Sequence, residues 1–227
     1  MDFTGIDKFS LLDYDGLISI VLFMPGCNFR CPFCHNIESV VDSKTSIPFN
    51  EILVYLKERK NVVDAVVISG GEPTLDKDLI NKIKQIKEIG YLVKLDTNGT
   101  NPSIVKQLVN EKTIDYVAMD IKNSTSNYHL SSGVNIDLNP VLETINFLKE
   151  NHVDYEFRTT LVEEHHSLQD IIEISALLKG SKKLYLQKYV YRDGVINKNL
   201  HPVSLEKANE FKEILSKNID TVELRGY

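Results

Sequence analysis

The chain has 227 residues, of which 42% are hydrophobic and 26% charged, and its formal net charge at pH 7 is -6. This composition is typical of a globular protein with a core and excludes a disordered chain. Binding to the phosphate backbone of a nucleic acid relies on clustered positive charge, so the net negative charge leads us to expect no nucleic-acid partner. No apolar run reaches the roughly 18 residues of a membrane span, and the first residues do not resemble a signal peptide. We therefore expect a cytoplasmic protein with no membrane partner.

Apolar runs that suit buried parallel strands alternate along the chain with stretches of helical periodicity. The strand-like runs begin at Leu17 (LISIVLF), Ala65 (AVVIS), Tyr91 (YLVKLD), Tyr116 (YVAMD), Tyr155 (YEFRTT), Leu184 (LYLQ) and Thr221 (TVEL). Helices are predicted over residues 48–60, 75–90, 102–110, 140–151, 167–179 and 204–216. The polar residues 123–135 are predicted to form a mobile loop after the fourth of these strands.

This alternation predicts right-handed strand–helix–strand crossovers and a parallel sheet. Periodicity alone does not distinguish a complete or partial barrel from an open doubly wound sheet. No linker-like segment interrupts the pattern, so we expect residues 1–227 to form a single domain. In either architecture a ligand binds at the carboxyl ends of the strands.

The three cysteines lie in the loop after the first predicted strand, as Cys27, Cys31 and Cys34, with the spacing C-x3-C-x2-C. An odd number of thiols in so short a stretch does not fit a disulfide framework and favours a soft metal centre. His35 would complete a four-ligand zinc site, but its place directly after Cys34 makes that geometry unfavourable. Three ligands on a [4Fe-4S] cluster would leave one iron open to a substrate or cofactor. An incidental group of buried thiols is the remaining alternative.

Polar residues mark the ends of the next strands. In SGGEPTL, Gly70 and Gly71 allow a ligand to approach the backbone, and Glu72 offers a carboxylate. An arginine within the fifth strand needs a charged partner, because an unpaired buried guanidinium is costly. The strand ends DTNG and MDIK, together with that arginine, predict a charged rim beside the cysteines made of Asp96, Thr97, Asp120, Lys122 and Arg158.

The cysteine spacing, with the aromatic residue Phe33 before the last cysteine, resembles the signature of the radical S-adenosylmethionine (SAM) superfamily. The strings FSLLDYDG and FMPGCNFRCPFCHN are similar, more narrowly, to the glycyl-radical-enzyme activating family. The resemblance implies a parallel-stranded partial (βα)6-type barrel with an extra C-terminal strand. It also implies a [4Fe-4S] cluster on Cys27, Cys31 and Cys34 that reductively cleaves SAM.

The resemblance further implies a set of cofactor-binding residues. The GGE run would grip the amino group of SAM, and paired aspartates would hold a monovalent cation near its carboxylate. Related enzymes often have a histidine at the end of the sixth strand, where this chain has a glutamine. The implied set is Phe33, Gly70, Gly71, Glu72, Asp96, Thr97, Asp120, Lys122, Arg158 and Gln187.

The implied activity is the generation of a glycyl radical on a partner enzyme. The resemblance favours anaerobic ribonucleoside-triphosphate reductase as partner, with pyruvate formate-lyase or another glycyl-radical enzyme as alternatives. Because no cysteine remains for a second cluster, an external flavodoxin or ferredoxin would supply the electron. Two other readings stay open: a radical SAM enzyme acting on a small molecule, and a non-catalytic metal-binding interaction module.

Two further features lie outside this pattern. The tail ELRGY echoes a glycyl-radical site, but we expect it to be a last strand, with Arg225 near the barrel mouth. We expect the remaining histidines to be surface or loop residues, namely His129, His152, His165, His166 and His201.

Overall fold

The structure is a computed structural model that describes residues 2–35, 37 and 46–227. The described residues form a single eight-stranded sheet whose strands follow one another in chain order. The strands are β1 (Gly5–Ser10), β2 (Ser19–Met24), β3 (Ala65–Gly70), β4 (Leu92–Thr97), β5 (Tyr116–Asp120), β6 (Asp154–Leu161), β7 (Lys183–Lys188) and β8 (Thr221–Arg225). The helices are α1 (Phe49–Arg59), α2 (Leu79–Ile89), α3 (Pro102–Asn110), α4 (Tyr128–Ser132), α5 (Asn139–Lys149), α6 (Leu168–Leu177) and α7 (Leu205–Leu215).

The sheet is an incomplete barrel. Strands β2 to β8 run parallel to their neighbours, and β1 is antiparallel to β2. Strands β1 and β8 lie at the two edges and are not paired with each other among the described residues. The predicted fold class, a parallel-stranded partial barrel with an extra C-terminal strand, is therefore confirmed.

Strand β1 is missing from the sequence prediction. Its sequence, GIDKFS, carries two charges in six residues, and most of it is at least partly exposed. Such a strand lacks the continuous apolar run by which buried parallel strands are recognised. Pairing with β2 stabilises it, through partners such as Gly5 with Phe23 and Asp7 with Val21.

Alternate residues of each strand face opposite sides of the sheet, which explains the polar residues inside apolar runs. On β4, Val93 and Leu95 are buried in the hydrophobic core, whereas Lys94 and Asp96 point to the inside of the barrel. The buried stripe of α2, which includes Ile83 and Ile86, belongs to the same core. The core therefore lies mainly between sheet and helices, and the barrel interior is left to polar groups.

The charged interior also ties the two edges of the sheet together. Arg225 on β8 contacts Asp15 in the β1–β2 loop, with Nη2–Oδ1 at 2.9 Å, and lies 3.3 Å from Glu156 Oε1. Its guanidinium carbon lies 3.3 Å from the ring centre of Tyr185. The last strand of the prediction is confirmed, and its arginine turns into the barrel interior.

Six of the seven observed helices match predicted ones to within two residues at each end, except at the start of α2, and α4 was not predicted. The predicted helix begins at Leu75, but residues Pro73–Leu75 form a separate 3-10 turn and α2 begins at Leu79. Gly90 ends α2 with a φ of 102°, a left-handed conformation that glycine adopts without strain. No helix in the described parts of the chain is long and apolar enough to cross a membrane.

The prediction of a mobile loop over residues 123–135 is wrong. The segment contains α4, and Asn123 and Ser124 are completely buried. Asn123 Nδ2 donates to the carbonyl of His165 at 2.8 Å, and Ser124 Oγ donates to Asp170 Oδ1 at 2.6 Å. Polar composition suggested exposure, but buried polar groups are tolerated when each finds an internal partner.

His166 lies in a loop, as expected, but its side chain is fully buried rather than at the surface. Its Nδ1 lies 3.1 Å from the backbone nitrogen of Val162, and its Nε2 lies 3.1 Å from the carbonyl oxygen of Lys122. Burial, which disfavours the charged imidazolium, lowers the pKa of His166 to about 4.

This buried histidine predicts a loss of stability in acid. The unfolded chain takes up a proton near pH 6.5 but the folded chain only near pH 4, so stability falls as the pH is lowered between these values. The contribution is about 3 kcal/mol at about 1.4 kcal/mol per pKa unit. Urea unfolding at several pH values should show a smaller loss over this interval in His166→Gln than in the wild type. Equal losses in the two proteins would contradict the assignment.

Candidate active site

The cysteine loop follows β2 and therefore lies at the carboxyl ends of the parallel strands. Cys31 is 8% exposed, Cys27 and Cys34 are partly buried, and all three line one cavity of about 550 Å³. Burial raises the pKa of Cys27, and that of Cys31 to about 11, while the positive charge of Lys122 acts in the opposite direction. Metal ligation requires thiolates, so these thiols would lose protons on binding iron.

Gly70, the last residue of β3, and Gly71 pack directly against the cysteine loop and the strand before it. Glu72 N donates to the Gly26 carbonyl at 2.8 Å, and Gly71 N donates to the Met24 carbonyl at 2.9 Å. A Cβ atom on Gly71 would lie 1.7 Å from the Gly26 oxygen, so no side chain fits there. Both Gly70 and Gly71 line the cavity, and the absence of their side chains lets the two loops touch.

Glu72 does not line the cavity, unlike the other predicted cofactor residues. Its carboxylate is 1% exposed and accepts four hydrogen bonds from two neighbouring loops. The donors are Thr74 N at 3.1 Å, Thr74 Oγ1 at 2.6 Å, Thr97 Oγ1 at 2.8 Å and Asn98 N at 2.6 Å. In this structure the side chain holds the ends of β3 and β4 together, and its direct contact with a ligand stays a prediction.

The loop after β4 also holds the cysteine loop. Asn98 Nδ2 donates to Asn28 Oδ1 at 2.8 Å, and Asn28 Nδ2 donates to Thr100 Oγ1 at 2.8 Å. Thr97 lines the cavity as predicted, and so does Asn98. The DTNG run therefore contributes both to the rim and to the position of the residue after Cys27.

Four charged side chains form one ion-pair network at the rim. The Arg158 guanidinium bridges two carboxylates, with Nη1 at 3.2 Å from Asp96 Oδ2 and Nε at 2.9 Å from Asp120 Oδ1. Lys122 Nζ lies 2.8 Å from Asp120 Oδ2. Burial by itself would raise the pKa of Asp120, but the two cations outweigh it and lower the pKa to about 2. Asp120 likewise raises the pKa of Lys122 and of Arg158 against the effect of burial.

One atom of this network lacks a partner. Asp96 Oδ2 accepts a hydrogen bond from Ser69 Oγ at 2.9 Å, but Asp96 Oδ1 is buried without a hydrogen-bond partner in the described part of the chain. Buried polar atoms are nearly always hydrogen-bonded, so a donor from a bound ligand fits this position. The arrangement suits a zwitterionic ligand, with cations for its carboxylate and an acceptor for its amino group.

The remaining predicted residues, Phe33 and Gln187, line the same cavity, so the structure brings together every predicted site residue except the Glu72 side chain. Other lining residues were missed. Thr160 was accessible to sequence reasoning, because it lies two positions after Arg158 on the same face of β6. Asp7 and Asp13 come from the unpredicted strand β1 and the loop after it, and Arg192 from a polar segment without a clear signal. The others lie within predicted strands or within the motifs already described, but were not singled out as cavity residues: Phe23, Phe29, His35, Ser69 and Asn98.

The side chain of His35, considered above as a fourth metal ligand, contacts residues that follow β7. Its Nε2 lies 2.8 Å from the Val190 carbonyl oxygen, and its ring stacks on Tyr189 with centroids 6.1 Å apart. Across the described residues, no three His, Cys, Asp or Glu side chains are arranged to hold a single metal ion. That finding concerns one ion only, because the cysteines of an iron–sulfur cluster bind different iron atoms.

An incomplete parallel barrel, with three thiols and a charged rim around one cavity, defines an enzyme that binds a metal cluster and a small polar ligand together. The sequence profile of the Radical SAM superfamily matches residues 21–178. A candidate glycyl-radical enzyme activating enzyme of Methanocaldococcus jannaschii is 36% identical over 98% of this chain and 95% of its own length. The chain therefore belongs to the radical SAM superfamily and, within it, to the glycyl-radical-enzyme activating family.

Other relatives agree with this placement. A second candidate activating enzyme of the same organism is 28% identical over 94% of this chain and 76% of its own length. Among solved structures, Streptococcus suis SuiB has a TM-score of 0.72 at 18% identity and covers 91% of the chain, which spans about half (49%) of SuiB. A domain of a pyruvate-formate lyase-activating enzyme from Bacteroides vulgatus has a TM-score of 0.56 at 20% identity, over 70% of this chain and 98% of that domain. These structural similarities concern the fold alone.

The cofactors of the superfamily are a [4Fe-4S] cluster and SAM, and the chain is a radical SAM enzyme. The residues present fit both groups. Three thiols lie together at the cavity, and three cysteines leave one iron of the cluster open. The unpartnered oxygen of Asp96 and the cationic Lys122 and Arg158 are complementary to an amino acid group.

Proposed function

We propose that this protein activates a glycyl-radical enzyme. The observation that carries the proposal is the similarity, over nearly the whole chain, to a candidate activating enzyme of M. jannaschii, together with a cavity that contains the three cysteines. Anaerobic ribonucleoside-triphosphate reductase is the partner we favour, and a flavodoxin or ferredoxin is the proposed electron donor. Residues 1–227 would act as one domain in the cytoplasm.

When bound, the cluster and SAM would supply hydrogen-atom abstraction from the partner's glycine α-carbon, with one external electron consumed and SAM converted to methionine and 5′-deoxyadenosine. The protein's own residues hold and orient the reactants. Cys27, Cys31 and Cys34 would ligate the cluster. Lys122 and Arg158 would face the SAM carboxylate, which is the charge-assisted contact that such cations favour.

The other rim residues would complete the SAM site. Asp96 Oδ1 would accept from the SAM amino group, beside the backbone of Gly70 and Gly71. The remaining side chains that face the cavity would contact the rest of the cofactor: Phe33, Thr97, Asp120 and Gln187. We also propose a monovalent cation near the two aspartates, although in this structure the Arg158 guanidinium lies between their carboxylates.

The decisive experiment is anaerobic reconstitution of the protein with iron and sulfide, followed by reduction and addition of SAM together with a candidate partner. We expect 5′-deoxyadenosine and, with the correct partner, the electron paramagnetic resonance (EPR) signal of a glycyl radical. Cys31→Ala should abolish both, because one of the three cluster ligands is missing. Anaerobic ribonucleoside-triphosphate reductase and pyruvate formate-lyase would be tested in parallel.

The outcomes separate the alternatives. 5′-Deoxyadenosine without a glycyl radical on either partner would contradict activation of these two enzymes and favour another glycyl-radical enzyme or a small-molecule substrate. No cleavage of SAM by a protein with a full, reducible cluster would contradict the radical chemistry itself and revive the metal-binding module.

A further inference from the structure

The part of the cysteine loop between Cys27 and Cys31 rests on the segment that sequence reasoning had taken for a loop. Arg30 N donates to the Ser132 carbonyl at 2.8 Å. Phe29 packs edge-on against Tyr128, with ring centroids 6.3 Å apart, and both rings are almost completely buried. Phe29 and Arg30, the two residues before Cys31, are therefore held by contacts with Tyr128 and Ser132 of α4.

Gly133 makes the closest of these contacts. It ends α4 with a φ of 71°, and its N–H donates to the His129 carbonyl at 3.0 Å. A Cβ atom on this residue would lie 2.0 Å from the Arg30 carbonyl oxygen and 2.5 Å from its carbon. Both neighbours are backbone atoms, so the clash is relieved only by moving the chain immediately before Cys31.

The segment that carries Gly133 is itself firmly anchored. Asn123 Nδ2 binds the His165 carbonyl at 2.8 Å and lies 3.2 Å from Ser131 Oγ, and Ser132 Oγ donates to the Val134 carbonyl at 3.0 Å. A side chain at Gly133 would therefore press from a fixed segment on the Arg30 carbonyl, directly before Cys31.

We propose that residues 128–133, with Gly133 at their contact point, are a positioning element that sets the Arg30 carbonyl and through it the Cys31 ligand of the cluster. This inference depends on the cluster site and is independent of the identity of the partner enzyme. Outer groups that orient metal ligands commonly affect metal retention about 10- to 100-fold, and we expect an effect of this kind here.

The test compares Gly133→Ala with a matched control, Gly180→Ala. Gly180 also has a positive φ, 81°, and its N–H is also hydrogen-bonded, to the Asn218 carbonyl at 2.8 Å, but no atom lies within 4 Å of an added Cβ. Both substitutions impose a similar backbone strain, and only the first adds a clash with the cysteine loop.

Each reconstituted variant would be exposed to an iron chelator, and the rate of iron release would be measured with the EPR spectrum and midpoint potential of its cluster. We expect iron release about 10-fold faster, and a changed EPR spectrum, for Gly133→Ala. Gly180→Ala should match the wild type in cluster retention, spectrum and potential, with only the small loss of apo-protein stability that the positive φ imposes. Wild-type retention, spectrum and potential in Gly133→Ala would overturn the proposal, and so would equal cluster loss in Gly180→Ala.

A milder variant keeps the proposal testable if Gly133→Ala does not fold. Tyr128→Leu removes the ring that packs on Phe29 but keeps an apolar side chain at a buried position. We expect faster iron release than in the wild type, although less fast than in Gly133→Ala. If Gly133→Ala cannot be obtained, iron release from Tyr128→Leu at the wild-type rate would overturn the positioning role of residues 128–133.

Discussion

Arg158→Met is expected to lower the free energy of unfolding of the apo-protein by about 3–5 kcal/mol, the usual cost of removing one partner of a buried ion pair. The arginine side chain is 13% exposed and bridges Asp96 and Asp120. Methionine keeps much of the apolar stem but leaves two carboxylates with Lys122 as their remaining cation at the rim. The pKa of Asp120, held at about 2 in the wild type, should rise in the variant.

Urea unfolding near neutral pH measures the loss, and Arg225→Met is the matched control. Arg225 also lies on an inner strand face and contacts two carboxylates, but it is 26% exposed, so its loss should be smaller. In a double-mutant cycle, Arg158→Met should cost less when Asp120 is already Asn. A loss below about 1 kcal/mol, the range of exposed pairs, would contradict the buried network.

The same variant tests the monovalent cation. Without the guanidinium, the space between the two carboxylates is available to sodium or potassium, and oxygen ligands suit such ions. Stability and SAM affinity would be measured in potassium chloride and in choline chloride. Recovery in potassium chloride alone, seen in Arg158→Met but not in the wild type, would show that the guanidinium takes the place of a cation in the wild type. Cation dependence in the wild type would instead support a bound cation beside Arg158.

Glu72→Gln is expected to destabilise the protein by about 3 kcal/mol, because a buried donor is costly when it loses its acceptor. Glutamine can keep its oxygen toward Thr74 and Thr97, but its NH2 group then faces the N–H of Asn98, which donates to Glu72 Oε2 at 2.6 Å. The ends of β3 and β4 would separate, and SAM affinity should fall with stability although the side chain does not line the cavity.

Urea unfolding and SAM binding would be compared in Glu72→Gln and in Glu58→Gln, a change of the same kind at an exposed position of α1. The control should differ little from the wild type. Burial raises the pKa of Glu72, whereas its hydrogen bonds act against the rise. Unchanged stability in Glu72→Gln would mean that the carboxyl is already protonated in the folded protein, contrary to the four donors that converge on it.

Several features of this protein were determined locally and were therefore readable from the sequence. The cysteine spacing is confined to eight positions, and the alternation of apolar strands with helical stripes fixes a parallel α/β sheet. Because parallel strands end at the same edge, residues far apart in sequence could be assigned to one rim, and Asp96, Asp120, Lys122 and Arg158 do meet there.

Other features depended on contacts between distant segments. Strand β1 exists because β2 offers it a pairing edge, and Glu72 turns away from the cavity because donors from two loops surround it. Residues 123–135 have the composition of an exposed loop, yet hydrogen bonds to the His165 carbonyl and to the buried Asp170 carboxylate hold Asn123 and Ser124 inside the protein. The sequence by itself determined the fold class and the chemistry of the rim. Only the tertiary structure decided which polar groups face a ligand and which hold the loops, because that choice depends on partners that no local pattern records.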